Sequence, residues 1–417
     1  MKGTLMEKDI QFKKNFIWNI IGTGFNAFNS LFFMIAITRI NGVDNAGIYT
    51  IAYSTACILY MIGIYAGRIY QVTESNKTIT NKDYIFNRMI SCSIIFVISI
   101  LFVIIKRYDM YKSSIFIILA LYKSLEAFSD VLYGILQKNN FLDKAGKSCF
   151  IKALLSLIVF ILIDIFTHNL IIACFSIVGV YLVIILFYDY KQVKKFIENT
   201  EKVEMKNILN IFRGGFFTFA ISFLGVYMTN AQKYAIDSFL SEDIQAIFGI
   251  IIMPATVMGL LAQFLIHPYL NEIFELYNSK EFKKIKKILY KIILIIFAIG
   301  MLCCVVGYFL GTPVLGFVYG IDLSQYSVQL TMILFSATFY TMAGIISPIL
   351  ITMRCNLIQF IIYTLISLFE LVLSNVMVFK AGFDGAIWAY LITMILYFGV
   401  FYIVAMRIIK SKEKVVE

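Results

Sequence analysis

The sequence predicts an all-α polytopic membrane protein, with twelve transmembrane helices in two six-helix lobes and both termini cytoplasmic. Three observations carry that reading. Of 417 residues, 60% are hydrophobic and only 15% charged, with a mean hydropathy of +0.85. That leaves too little polar surface for a soluble chain of this length. The apolar runs are near 20 residues, the length that crosses a bilayer as a helix, rather than the alternating ten-residue segments of an outer-membrane barrel. Only four prolines interrupt them. Finally, Lys and Arg are sorted between the two sides. With the N-terminus inside, 29 of the 36 fall in cytoplasmic segments and six (Arg39, Lys106, Arg107, Lys112, Lys233 and Lys380) outside, while Lys123 lies within a span. This positive-inside asymmetry assigns the net charge of +11 to topology and not to a nucleic-acid footprint.

The N-terminal stretch MKGTLMEKDIQFKKNFIWN is basic and polar ahead of a full-length span and has no small-residue cleavage site, so it reads as a cytoplasmic tail. Span one covers about 15–39 and closes on Arg39. Span two, 46–70, opens on DNAGIYTIAYS (44–54) and carries Arg68 near its end, and span three covers 85–105. Span four, 114–137, is apolar at its start and charged beyond it. Spans five and six, 148–166 and 169–189, form a tight pair around Thr167–His168, with Asp164 at a solvated span end. The longest polar connection follows, YDYKQVKKFIENTEKVEMKN, and divides the chain into an N-terminal lobe (1–190), a cytoplasmic linker (191–210) and a C-terminal lobe (211–417). Six is an even number, so both halves enter the membrane in the same orientation, as in transporters built from parallel repeats.

Span seven, 211–231, begins beside Arg213 and is followed by Lys233 and Asp237, an i,i+4 couple that forms a candidate gate pair. Span eight, 245–266, opens on EDIQAIFGIIIMP (242–254), a faint echo of 44–54. It closes at His267–Pro268, where the proline restricts the residue before it and terminates the helix. Spans nine and ten cover 288–311 and 327–352, and Arg354 follows. Span eleven, 357–378, carries Glu370 well inside TLISLFELVLSN, which points to a cavity-facing or interhelical role; span twelve is 383–406. For Arg39, Arg68, Arg213 and Arg354, all near span ends, snorkelling to the interface is the default reading. Every outer loop is short, and no connection is long enough for a soluble catalytic domain.

The stretch LYKSLEAFSDVLYGILQ (121–137) puts Lys123, Glu126 and Asp130 into span four. A charge at a span centre costs roughly 2.5–3.5 kcal/mol on insertion scales, so such groups face a cavity or a partner. At 100° per residue the three fall within an arc of about 60°. A local salt bridge accounts for one carboxylate. A polar, water-accessible cavity with a protonatable carboxylate accounts for all three.

Little other chemistry is on offer. The seven cysteines are scattered and odd in number, with no disulfide framework and no metal spacing. His168 lies in an outer turn and His267 at a helix end, and neither makes a metal site. No Walker motif, nucleophile elbow, dinucleotide fingerprint or zinc motif occurs. The expectation is a protein that is not an enzyme, without cofactor or metal, driven by an ion gradient or by the gradient of its substrate.

Four segments carry a family resemblance over essentially the whole chain: RINGVDNAGIYTIAYS (39–54), KSLEAFSDVLYGILQKNNFLDKAGKS (123–148), NAQKYAIDSFLSEDIQAIFGIIIMPATV (230–257) and AGFDGAIWAYLIT (381–393). With six plus six spans, these resemble the bacterial polysaccharide flippases, the O-antigen and capsular repeat-unit transporters of the multidrug/oligosaccharidyl-lipid/polysaccharide exporter (MOP) superfamily. The resemblance implies a multi-pass protein of the bacterial cytoplasmic (inner) membrane. It would move an undecaprenyl-diphosphate-linked oligosaccharide from the cytoplasmic to the outer leaflet by alternating access. It also implies membrane lipids as partners, H+ or Na+ as coupling ion, and contact with polysaccharide polymerase machinery. Carried over, Arg39, Arg68, Lys123, Arg213 and Arg354 become candidate anion contacts, and Glu126, Asp130 and Glu370 candidates for coupling. Two alternatives stand beside it: a cation-coupled drug antiporter of the same superfamily, and a membrane polysaccharide polymerase. The polymerase would show a large outer loop bearing arginines, against which the short loops argue.

Overall fold

The computed structural model describes residues 2–65, 67–73, 78–197 and 202–414, with side chains described for these except 2–9, 69, 260–268 and 271. Lys77 and the side chains of Lys2 and Lys8, three of the 29 cytoplasmic cations, and those of His267 and Pro268 lie outside the described set.

Among the described residues all regular structure is helical. In chain order the helices are α1 (Lys2–Ile40), α2 (Val43–Ile64), α3 (Gly67–Thr73), α4 (Asn81–Lys106), α5 (Met110–Lys138), α6 (Leu142–Thr167), α7 (Leu170–Ile184) and α8 (Tyr190–Val193). They continue with α9 (Met205–Met228), α10 (Ala231–Phe239), α11 (Glu242–Ile251), α12 (Met253–Asn278), α13 (Phe282–Val306), α14 (Thr312–Tyr319), α15 (Ser327–Thr352) and α16 (Asn356–Lys414).

Ten stretches are long and apolar enough to cross a membrane, and the chain is a multi-pass membrane protein. One of the ten is α16, whose 59 residues at 1.5 Å each would span almost three bilayer cores. It is broken at Gly382, whose φ of 58° and ψ of −132° turn the chain between two arms. Helix α5 is not among the ten, because Lys112, Lys123, Glu126, Asp130 and Lys138 lower its apolarity. The expected twelve is reached when the two arms of α16 are counted separately and α5 is admitted despite its charges.

The expected spans differ from the helices where backbone chemistry intervenes. Span two is expected to continue to residue 70, but positive φ angles at Tyr65 (46°) and Gly67 (70°) separate α2 from α3. The expected span eight is interrupted at Ile252, since Pro254 near the start of α12 cannot donate the hydrogen bond that would continue α11. A π turn at Gly307–Gly311 carries α13 into α14 just ahead of Pro313, and a second one, Ile185–Asp189, ends α7. Such wider turns absorb a residue that the α ladder cannot seat.

The chain divides into two compact units, Met1–Phe223 and Leu224–Glu417. In the first, α5 is the central helix, packed against α2, α3, α4, α6 and α7. Most of its residues are buried, whereas α4 and α6 turn large apolar side chains such as Ile104, Ile105 and Phe166 outward. Shelter by protein on every side is what lets a charged helix sit at membrane depth. Asp109 caps its N-terminus, accepting from the Lys112 amide at 2.7 Å. Helices α1 and α6 approach so closely at Gly22 and Gly146 that a Cβ on Gly22 would lie 2.2 Å from the Gly146 carbonyl oxygen. Small residues permit this kind of membrane-helix contact. The start of α9 is tied to α4 through Asp83, which accepts from the Glu204 amide and from Asn207 Nδ2, both at 2.9 Å.

In the second unit α15 is central, packed against α12, α13 and both arms' helix α16, while α10 lies against α16. Pro348 stands inside α15, where it removes one backbone donor.

Candidate functional site

Glu126 and Asp130, on the charged face of α5, line a polar pocket of about 120 Å³ inside the first unit. Six helices build it. Helix α1 contributes Asn19, Thr23 and Asn26; α2 contributes Tyr60; α3 contributes Arg68. Glu126, Ser129, Asp130 and Tyr133 come from α5, Lys152 from α6 and Tyr181 from α7.

Each carboxylate on the face has its own cation. The Lys123 ammonium donates to Glu126 Oε2 at 2.6 Å, and Asn26 Nδ2 donates to Glu126 Oε1 at 3.1 Å. The same ammonium sits 4.9, 5.5 and 5.0 Å from the ring centres of Tyr53, Tyr60 and Tyr122, a cation–π cage that replaces lost hydration. Lys123 is thereby committed to α5 and its neighbours; it is 6% exposed and does not line the pocket. Asp130, one turn further along, is met from two other helices. Arg88 of α4 donates from Nη2 to Asp130 Oδ2 at 3.4 Å and from Nη1 to the Gly63 carbonyl at 2.8 Å. Arg68 Nε lies 3.9 Å from Asp130 Oδ1, within ion-pair distance but beyond hydrogen-bond reach. The like-charge repulsion expected between Glu126 and Asp130 is thus offset cation by cation.

A further ion pair backs the pocket. Lys152 is buried, donates to Ser129 Oγ at 2.6 Å and Tyr133 Oη at 3.2 Å, and pairs with Asp189. Asp189 is the last residue of the π turn that ends α7.

The remaining candidates fall elsewhere. Arg39 is exposed in the last turn of α1, Arg213 is exposed on α9, and Arg354 is exposed in the turn between α15 and α16 at a φ of 60°. None of the three lines this pocket or the cavity of the second unit. That cavity, about 550 Å³, is lined by Lys233, which is buried and donates to Asn230 Oδ1 at 3.0 Å. Asp237, its partner in the candidate gate, is half-buried one turn along α10. Glu370 is fully buried in the first arm of α16, accepting from Gln232 of α10 and from Ser374 Oγ at 3.0 Å.

Three expectations are corrected. Asp164 is not solvated: it is buried and accepts from Asn41 Nδ2 at 3.0 Å, because the end of α6 packs against the end of α1. Arg88 and Lys152, counted as topological charges, are buried partners of Asp130 and Asp189. The asparagines of α1 went unread as well. Their signal is present in the spacing of Asn15, Asn19 and Asn26, which with Gly22 forms one polar, small-residue stripe on an apolar helix.

The chain is thus a helical multi-pass protein of two compact units, with the ion pairs Lys123–Glu126, Arg88–Asp130 and Lys152–Asp189 inside the first. No family model matches the sequence. The chain is similar to the capsular polysaccharide biosynthesis protein CapF of Staphylococcus aureus, 26% identical over 336 residues, covering 78% of this chain and 82% of that protein. Its fold is similar to that of a multidrug resistance MATE family transporter of the MOP superfamily in an inward-facing conformation. That match has a TM-score of 0.71 and 13% identity, and covers 95% of this chain and 99% of the other. The Vibrio cholerae MATE transporter VcmN in its bent form matches with a TM-score of 0.60 at 11% identity, over 97% and 98% of the two chains. A MOP superfamily transporter from Pyrococcus furiosus, described as having a binding pocket of reversed polarity, matches with a TM-score of 0.56 at 13% identity, over 97% and 96%. The fold is the one these transporters share.

Proposed function

We propose that the protein is a flippase that moves an undecaprenyl-diphosphate-linked oligosaccharide repeat unit from the cytoplasmic to the outer leaflet of the bacterial cytoplasmic membrane by alternating access. The observation that carries this reading is the likeness to a capsular polysaccharide biosynthesis protein along 78% of the chain. The pocket in the first unit supports it. Asp130 already has the Arg88 guanidinium, and partly exposed Arg68 lines the pocket with its Nε beyond hydrogen-bond reach of that carboxylate. A guanidinium so placed suits a diphosphate or an acidic sugar.

Ion coupling fits Glu370 better than Glu126 or Asp130. Those two are held by protein cations, whereas the partners of Glu370 are the neutral side chains of Gln232 and Ser374. A buried carboxylate in neutral company is suited to take and release a coupling proton. A drug/cation antiporter needs a carboxylate open to an organic cation. In the first unit's pocket both carboxylates already face a cation of the protein, which favours the flippase.

Deletion of the protein followed by analysis of lipid-linked intermediates tests the reading. Loss of a flippase strands single repeat units on the cytoplasmic face. Single units that already face outward but stay unpolymerised would assign the protein to the polymerase step instead.

A further inference from the structure

The first unit's pocket leaves unexplained a larger cavity in the second. It holds about 550 Å³, inside the range of roughly 300–1,000 Å³ typical of ligand pockets. Its walls are unusual for membrane depth. Four tyrosines line it: Tyr340 from α15, Tyr363 from the first arm of α16, and Tyr390 and Tyr397 from the second. Phenylalanine would fill the same space without a hydroxyl to satisfy. Between the rings stand Thr229, Asn230, Lys233, Thr341 and Ser347. Lys233 is the cation of this wall, and no Asp or Glu lines the cavity among the described residues.

Two details show a space shaped for an occupant. The Thr341 hydroxyl is buried and has no hydrogen-bond partner among the described residues. A buried hydroxyl so placed can be satisfied by the polar edge of a bound ligand. Gly259 and Gly344 face the cavity, and a Cβ built on either meets nothing within 4 Å.

We propose that this cavity is a subsite for an acidic saccharide, with the C–H faces of the sugar against the tyrosine rings and its carboxylate at Lys233. A sugar ring is amphipathic in the manner of the wall: apolar on its faces and lined with hydroxyls at its edge. A lipid chain would leave the polar groups without partners, and a diphosphate would call for more than one lining cation. The source of the sugar, the head of the lipid-linked substrate, rests on the flippase reading; the binding chemistry does not.

Titration calorimetry on the purified full-length protein tests it with three probes: a glucuronate-containing disaccharide, cellobiose and inorganic phosphate. The acidic disaccharide should bind about tenfold tighter than cellobiose, the discrimination expected of one charge-assisted contact. Lys233→Met should erase that preference. Gly344→Leu, which fills the cavity, should abolish binding of both sugars, while Gly344→Ala keeps it and shows that the helix tolerates a side chain there. Failure of the wild type to bind either disaccharide overturns the proposal, as does binding unchanged in Gly344→Leu. Phosphate that binds as well as the acidic sugar would make this an anion site and overturn the saccharide assignment. If the deletion strain strands repeat units but no sugar binds, the flippase reading stands and the subsite falls. Sugar binding without stranded units has the reverse meaning.

Discussion

Asp130 and Arg68 touch in the structure and do different work. Asp130 is the counter-ion of buried Arg88, and removing one partner of a buried pair typically costs about 3–5 kcal/mol. Asp130→Asn should therefore lower the melting temperature of the purified protein sharply, while Arg68→Gln should leave it nearly unchanged and stop transport. The same logic governs Lys152 and Asp189. Lys152→Met alone leaves a buried, unpaired carboxylate and should destabilise by about 3 kcal/mol, and the double variant Lys152→Met/Asp189→Leu should recover most of that loss. A double variant as unstable as the single would show that the pair is not the source of the cost. At this scale the sequence was legible where charge stood out against apolar surroundings, as at Lys123, Glu126 and Glu370. It was opaque where a charge lies one or two turns inside a span end. Arg88 and Lys152 look there like any basic flank, since the positive-inside pattern counts them without reporting depth.

Helix α5 shows why the least apolar span is also the most enclosed. Its charges rule out contact with lipid, and helices on every side supply Tyr cages, Arg88 and Arg68 in place of water. Periodicity was enough to bring Lys123, Glu126 and Asp130 onto one face. It could not supply the partners, which come from α1, α3 and α4. Breaks in the backbone were harder to read. Hydropathy over the apolar run 46–70 does not mark the break at Tyr65, and the Ile185–Asp189 π turn that delivers Asp189 leaves no trace in it either. The α1–α6 contact yields a prediction at this scale. A Cβ on Gly146 would lie 2.3 Å from the Trp18 carbonyl oxygen, so even Gly146→Ala forces the two helices apart. That variant should melt lower and lose transport, whereas Gly24→Ala, on the facing helix α1 but turned to open space, should match the wild type in both measurements.

For the molecule as a whole, composition and the 29-to-six division of basic residues were sufficient for a polytopic helical membrane protein, because both follow directly from the bilayer as solvent. The tyrosine-lined cavity was not legible, since its wall is assembled from helices far apart in the chain and no local spacing reports on it. The central claim, that the first unit's pocket handles the anionic part of a lipid-linked oligosaccharide, is tested most directly by complementing a deletion strain with Arg68→Gln. Repeat units exposed on the outer face are then measured by their cleavage with a membrane-impermeant glycosidase. The account predicts units protected from the enzyme, as in the deletion strain, at wild-type levels of folded protein in the membrane. Cleavage equal to that in the wild type would contradict it.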